Sequence, residues 1–437
     1  MTSTKIVLSL IASACIATTV SAMEFQVLGA RAASMGGAGI ATSPSSLAAY
    51  NNPALLANNP EKFSIHLGGG VGLKDTGAGK AVGDLSNLDF SNVMDIADGN
   101  INNSSVVTTK DIDTILKARD IIGGMDQKGF QVSPTVDLGL SFGSFGTGLF
   151  GTSDIGAVAT IDQTRTQLIF QGSDNNYYQL GSDGLLSMSD GTAYANYSLS
   201  YSLGDIATNR PATTYVNVVG LAVAEVPLAY GYSLNTGYGS LAVGGALKLM
   251  AGKTFNKRIA LDSDNAFNNL KDNTKDTTTY GVDLGLAYKP SFSDSLTVAL
   301  VGKNLNSPAF ALSQAAGGGE YKLKPAARVG TAYKFGNWVE LALDADLTEN
   351  KSVTGYKTQY IGGGANIDLS VLELNVGLMQ NMAPNDTSGL IYTAGVATGP
   401  KWLHFELAAQ MASQKGAIDG TAYPMQAMVN FALSSAW

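Results

Sequence analysis

Cysteine is almost missing from this chain. Cys15 is the single one among 437 residues, and it sits in an apolar N-terminal stretch that reads as a leader. Without that stretch the chain carries no thiol, so disulfides, thiolate nucleophiles and cysteine-held metals are excluded. Charge is scarce as well: Asp, Glu, Lys and Arg make up 14% of the sequence, where a soluble domain carries roughly 25%. The balance is acidic, with 35 Asp+Glu against 27 Lys+Arg and a net charge of −8. That sign speaks against nucleic acid as a partner, because neutralising phosphates needs a basic surface. Long apolar runs are lacking too. No segment beyond the leader strings together the ~18 apolar residues of a membrane-spanning helix, so any crossing of a bilayer has to be made with strands. Glycine is in excess, at 51 residues, well above the usual ~7%.

The leader is Met1 to Ala22. Lys5 supplies a positive start, Ile6 to Val20 an apolar or small-residue stretch, and Val20-Ser21-Ala22 a small-residue cleavage site. This is the pattern of a secretory signal peptide cut between Ala22 and Met23. A lipoprotein would need Cys15 as the acylated residue, but Ala12-Ser13-Ala14 lacks the usual Leu and the position falls too early. Export permits disulfides, and with none available a closed strand ladder is the expected source of stability.

The other end of the chain alternates. Counting back in twos from Trp437 gives Ser435, Leu433, Phe431, Val429, Ala427 and Met425, one mostly apolar face of a strand that ends on an aromatic ring. Period two means a strand with two unlike sides. Val429, Phe431, Leu433 and Trp437 have the form of the closing strand of an outer-membrane barrel, whose outer face meets lipid and whose last ring sits in an interfacial girdle. The clearest internal copy is Phe130, Val132, Pro134, Val136, Leu138, Leu140 and Phe142, interleaved with small or polar residues. Others begin at Phe63, Val226, Leu241, Tyr280, Leu296, Val329, Val339, Leu372 and Leu403. A soluble β-sandwich would also alternate. The single register kept to the last residue and the tyrosines at strand ends (Tyr230, Tyr280, Tyr288, Tyr333, Tyr423) favour a membrane girdle. The fold class expected is all-β, a transmembrane antiparallel barrel of about 14 strands, since single-chain bacterial barrels use even numbers.

Short turns at Asn235–Gly239 and Phe335–Trp338 join neighbouring strands. Longer polar segments, Gln171–Asp190 and Asn256–Thr279, read as loops on the cell exterior. Lys110–Met125, with Ile112, Ile115, Leu116, Ile121 and Ile122 among charges, reads as a short amphipathic helix in such a loop.

Before the first strand lie Gly29-Ala30-Arg31-Ala32-Ala33-Ser34-Met35-Gly36-Gly37-Ala38-Gly39-Ile40-Ala41 and Ala49-Tyr50-Asn51-Asn52-Pro53-Ala54-Leu55-Leu56-Ala57. Small residues allow close backbone packing, and Asn52-Pro53 turns the chain into a short helix. Gly36, Gly37, Gly39, Asn52, Pro53 and Ala54 therefore mark a compact hatch in the barrel mouth. The expected division is leader 1–22, hatch 23–62 and barrel 63–437.

These two motifs resemble the N-terminal signature of the FadL-like outer-membrane proteins, in particular the branch of TraF-type conjugal transfer proteins. Gly302–Pro308 and Leu323–Asn350 extend the resemblance over most of the chain past the leader. It implies a barrel with an N-terminal hatch in the outer membrane of a Gram-negative bacterium. It also implies one of two roles: a channel or transporter for small hydrophobic or amphipathic molecules, or a non-transporting component of a conjugation or secretion apparatus. A thioredoxin-like protein of the same name works through thiols and a βαβ fold, and nothing of it carries over here. The fatty-acid-binding residues of the transporter have no counterpart that can be placed.

Catalytic motifs are missing. Gly252-Lys253-Thr254 lacks the phosphate loop's first glycine, since Leu247 stands there. Asp262-Ser263-Asp264-Asn265-Ala266 starts like a calcium loop but has Phe267 where glycine is required. No Gly-x-Ser-x-Gly elbow accompanies His66 or His404, and both histidines lie opposite the oily face. Asp344, Asp346, Glu340, Glu373 and Glu406 share polar strand faces and are expected to line a wet interior. No enzyme, cofactor or metal is expected. The partners expected are outer-membrane lipid, the barrel-assembly machinery, a small hydrophobic ligand and a conjugation apparatus.

Overall fold

A computed structural model describes residues 23–91, 108–171, 174–181, 183, 185–197, 213–259, 273–314, 317–384, 386–418 and 420–437. The leader, the cleavage position at Ala22 and the calcium-like stretch lie outside the described residues. Fourteen antiparallel strands form one closed barrel. They are β1 (Phe63–Asp75), β2 (Gly129–Phe142), β3 (Phe145–Thr160), β4 (Tyr215–Thr236), β5 (Gly239–Ile259), β6 (Thr274–Pro290) and β7 (Leu296–Lys303). The wall continues with β8 (Ala326–Phe335), β9 (Val339–Asp346), β10 (Tyr360–Asp368), β11 (Leu372–Asn381), β12 (Leu390–Thr398), β13 (His404–Ala412) and β14 (Gln426–Ala436). Each strand pairs with its neighbour in sequence, and β14 pairs with β1 from Ser64↔Ala436 to Lys74↔Gln426. Closure leaves no strand edge unpaired, as a bilayer requires.

The alternation read from the sequence is the alternation of the wall. Leu138, Val136, Leu228, Leu247, Leu343, Leu407, Val429 and Phe431 point outward, Phe431 with 63% of its surface open. Trp437 is 61% open and stacks on Phe63 with ring centroids 5.3 Å apart. Its backbone N–H donates to the Phe63 carbonyl at 2.9 Å, and its own carbonyl accepts from Lys62 at 2.8 Å. Ser435, the polar interruption of this face, donates its hydroxyl to the Trp402 carbonyl at 2.6 Å.

The two rims differ. Two residues join β2 to β3 and β4 to β5, and three join β8 to β9 and β10 to β11. Phe142, Phe145, Tyr230, Phe335, Trp338 and Trp402 are exposed around this rim. The opposite rim carries the long connections, 76–128 and 161–214 among them. There α4 (Thr109–Gly123) realises the expected amphipathic helix, opened by a capping box between Thr108 and Asp111, which satisfies two helix-end donors. It packs with α3 (Ala78–Ser86) through Val82, Leu85, Ala118 and Met125.

Two expectations need correction. Asn256–Thr279 is wall at both ends, since β5 runs to Ile259 and β6 starts at Thr274, and residues 260–272 lie outside the described ones. β4 and β5 run 22 and 21 residues, about twice what a tilted strand needs to cross hydrocarbon. The oily outer band therefore ends part-way up, and beyond Leu249 the outer face carries Ala251 and then the exposed ion pair Lys253–Asp276, 3.0 Å. Gln171–Asp190, inside the connection between β3 and β4, holds strands of a small three-stranded sheet. Tyr423 is no girdle residue. It lies in the long-loop hairpin Lys415–Pro424 and donates to Asp75 Oδ2 at 2.6 Å.

Candidate gate in the barrel lumen

Residues 23–62 fold inside the cylinder. Helix α1 (Ala30–Ser34) packs on β11–β14, α2 (Ser45–Asn51) on β1–β4, and the 3-10 turn Pro53–Asn58 on β3–β6. The hydrophobic core of the protein is this contact. Phe25, Met35, Ala38, Ile40 and Ala54 meet the inward alanines Ala242, Ala287, Ala299, Ala332 and Ala342.

Glycines on the inner wall make the contact close. A methyl group at Gly139 would overlap the Ser46 carbonyl, one at Gly244 the Pro53 backbone and one at Gly285 the Asn52 side chain. At Gly362 and Gly377 it would strike the backbone at Gly36, and at Gly395 the Ser34 side chain. Backbone lies on backbone here, a geometry that admits no side chain.

Each residue of the predicted hatch motif has a definite place. Gly36 and Gly37 take φ of +68° and +76°, a conformation that glycine enters without strain. The Gly36 N–H donates to Thr393 Oγ1 at 2.9 Å, while Thr393 donates back to the Ser34 carbonyl at 2.8 Å. Asp344 Oδ2 accepts from the N–H groups of Gly39 and Ile40, at 2.9 and 3.1 Å. Asn52 accepts from Ala54 N–H at 3.1 Å and donates to the Ile40 carbonyl at 2.9 Å, tying the two halves of the hatch together. Pro53 opens the 3-10 turn and Ala54 is fully buried. Val429, Phe431, Leu433 and Trp437 lie on the opposite side of the wall and take no part.

Three of the five carboxylates, Asp344, Asp346 and Glu340, do not line a wet interior. Asp344 is 3% exposed and holds the hatch, and Asp346 pairs with Arg328 Nε at 2.7 Å and accepts from Tyr360 N–H at 2.8 Å. Glu340 pairs with Arg31 of α1 at 3.0 Å. Glu373 lies 3.5 Å from His404, and Glu406 borders the space beside Arg31 and His66. For Asp344, Asp346 and Glu340 the reason is steric, since the hatch takes the place of water, whereas Glu373 and Glu406 are half-buried and border an open polar space of about 240 Å³ near the short-turn rim. His66 is buried against Asp137 at 2.7 Å. Lys248, Glu225 and Asp283, which the sequence did not single out, form a buried triad with contacts of 3.0 and 3.1 Å. Buried charges have to be paired in this way or they are destabilising. Among the described residues no group of three His, Cys, Asp or Glu is placed to hold a metal.

On the side of the long loops, the first part of the hatch, Met23–Leu28, occupies the lumen. It leaves a cavity of about 90 Å³ bordered by Glu24, Phe25, Lys74, Arg328, Tyr360 and Gln426. A site for a small-molecule ligand measures roughly 300 Å³ or more, so this cavity is too small for one while the segment is seated.

Residues 49–346 match the sequence model of the family described as F plasmid transfer operon, TraF, protein. No curated protein matches the chain. Among solved structures, the toluene transporter TodX of P. putida is similar at 12% identity and a TM-score of 0.49, over 95% of this chain and 99% of that one. The toluene transporter TbuX of Ralstonia pickettii is similar at 13% identity and a TM-score of 0.49, over 95% and 99%. At such values the likeness says nothing of what this barrel carries.

Proposed function

Because the chain belongs to the TraF family of F plasmid transfer operon proteins, a family name that fixes no chemistry, we propose a function from its own lumen: a gated outer-membrane channel for small hydrophobic or amphipathic molecules. One observation carries this reading. The lumen is plugged by the N-terminal segment, which packs on small inward residues and is tied to the wall by hydrogen bonds and ion pairs, among them those to Thr393, Asp344, Glu340, Gln410 and Arg328. The oily outer band supports residence in lipid. Export through a leader cut after Ala22, and recognition of the closing strand by the barrel-assembly machinery, belong to the same proposal.

The test is conductance across a planar bilayer together with uptake of apolar solutes into vesicles, wild type against variants stripped of hatch anchors. Absence of both in every variant refutes the channel. A second reading, a non-transporting part of a conjugation apparatus, is favoured by the family description and by the long loops on one rim. Crosslinking in intact cells tests it, and recovery of assembly factors alone counts against it.

A further inference from the structure

The segment Met23–Leu28 has the shape of a bound molecule. Glu24 places its carboxylate 3.3 Å from Lys74 Nζ. Lys74 is 7% exposed, and its other partners are the Tyr360 hydroxyl at 3.0 Å and the face of the Tyr356 ring at 4.7 Å. Among the described residues Glu24 is the one carboxylate within ion-pair distance of Lys74. The next residue, Phe25, is buried with its ring 4.6 Å from the Arg328 guanidinium and 5.2 Å from Lys303 Nζ. Lys303 forms no ion pair among the described residues. Its contacts are the Tyr50 ring at 3.4 Å, the Phe25 ring and the Gln26 carbonyl at 3.4 Å.

Two wall cations therefore lean on a ring, and a third on a carboxylate, that all belong to the removable segment. When Met23–Leu28 withdraws, Lys74 loses its counter-charge and Lys303 keeps only Tyr50. Water hydrates the cations left this way, and an incoming molecule that displaces that water has to replace what they lost. An alkyl chain offers no π-face to Lys303 and Arg328, and a neutral hydrocarbon offers nothing to Lys74. An aromatic ring does attract both cations, and a carboxylate restores the ion pair.

We propose that Glu24 and Phe25 occupy the cargo's seat, and that the cargo is an aryl carboxylate whose acid group meets Lys74 and whose ring enters between Lys303 and Arg328. This rests on the channel reading and adds to it the chemical class carried. The N-terminal segment is then a tethered competitor, and apparent affinity falls by the fraction of time it is seated.

Calorimetric titration of the purified full-length protein in detergent tests this, with 3-phenylpropanoate as probe and octanoate and ethylbenzene as comparators. The double variant Glu24→Gln, Phe25→Ala is expected to bind 3-phenylpropanoate about tenfold more tightly than wild type and to prefer it over both comparators. Adding Lys74→Met is expected to erase the preference over ethylbenzene. Phe25→Leu, which keeps the apolar bulk and therefore the packing, is expected to move affinity in the same direction, and it decides the matter if the double variant does not fold. Unchanged affinity in Phe25→Leu and the double variant, equal binding of the three probes, or no effect of Lys74→Met overturns the proposal. Vesicle uptake separates it from the channel reading. Selective binding without flux keeps the seat and removes the channel, and conductance without aryl-carboxylate binding removes the seat alone.

Discussion

Asp344 gives the sharpest test of how the hatch is held. One oxygen of its buried carboxylate takes two backbone N–H groups, from Gly39 and Ile40. Asp344→Ala leaves both donors without a partner inside the barrel. Hydrogen bonds to a charged group contribute about 1.5–3 kcal/mol each, so seating of the hatch should weaken by about 3 kcal/mol at the lower end. That corresponds to a rise of about 150-fold in the unseated fraction. Asp344→Asn is the informative companion. Its amide oxygen can accept from the same two groups at the same place, while the charge is lost and the second oxygen, which has no partner among the described residues, becomes an amide donor, so the shift should be smaller, nearer tenfold. Single-channel recording in a planar bilayer reads both: long closures in wild type, frequent openings in Asp344→Ala and an intermediate pattern in Asp344→Asn. Heat-modifiable migration on a gel checks that each variant is still a barrel. Equal conductance in all three folded proteins would refute the view that these bonds keep the lumen shut.

Further outcomes follow from the same geometry. Gly377→Ala should unseat the hatch by overpacking, costing about 1–3 kcal/mol, whereas Gly245→Ala, where a methyl group meets only Leu284 at an ordinary 3.6 Å, should leave conductance unchanged. Trp437→Ala should lower the stability of the refolded barrel by about 1 kcal/mol through loss of the stacked ring on Phe63, as read by urea unfolding in lipid vesicles. Burial, and then the hydrogen bond to Asp75, hold the Tyr423 phenol above its usual range. Its contribution to docking the Lys415–Pro424 hairpin is therefore complete below about pH 10 and is lost only as pH rises through the higher folded value. Subtilisin nicking of that hairpin should stay constant to about pH 10 and then rise, while Tyr423→Phe should be nicked readily at all pH values.

The wall was legible where its two faces differ in kind. β2 sets Val136 and Leu138 against Asp137 and Thr135, and the contrast survives any noise in the pattern. β3, β10 and β12 were not recognised. Gly146, Gly148, Gly362, Gly364 and Gly395 stand where polar inward residues were sought, or where an outward bulky residue would mark the phase. At Gly146, Gly362, Gly364 and Gly395 the hatch comes too close for a side chain, and at Gly148 the Phe150 ring and the Leu138 carbonyl do. The hatch motif was legible as small residues needing a confined space, but not its effect on the carboxylates. Asp344 and Asp346 carry the same local signature whether they face water or protein, and only the tertiary placement of Gly39 and Arg328 separates the two cases. Lys74, Lys303 and Phe25 are far apart in sequence, and no spacing rule brings them together.

Pairing β1 with β14 joins the first barrel strand to the last, so the seam of the cylinder lies where the chain begins and ends its wall. The hatch runs directly into β1 at that seam. A barrel whose seam closes last would wind around its own N-terminal segment as around a mandrel. Substitutions that loosen the hatch should consequently slow biogenesis as well as alter the mature protein.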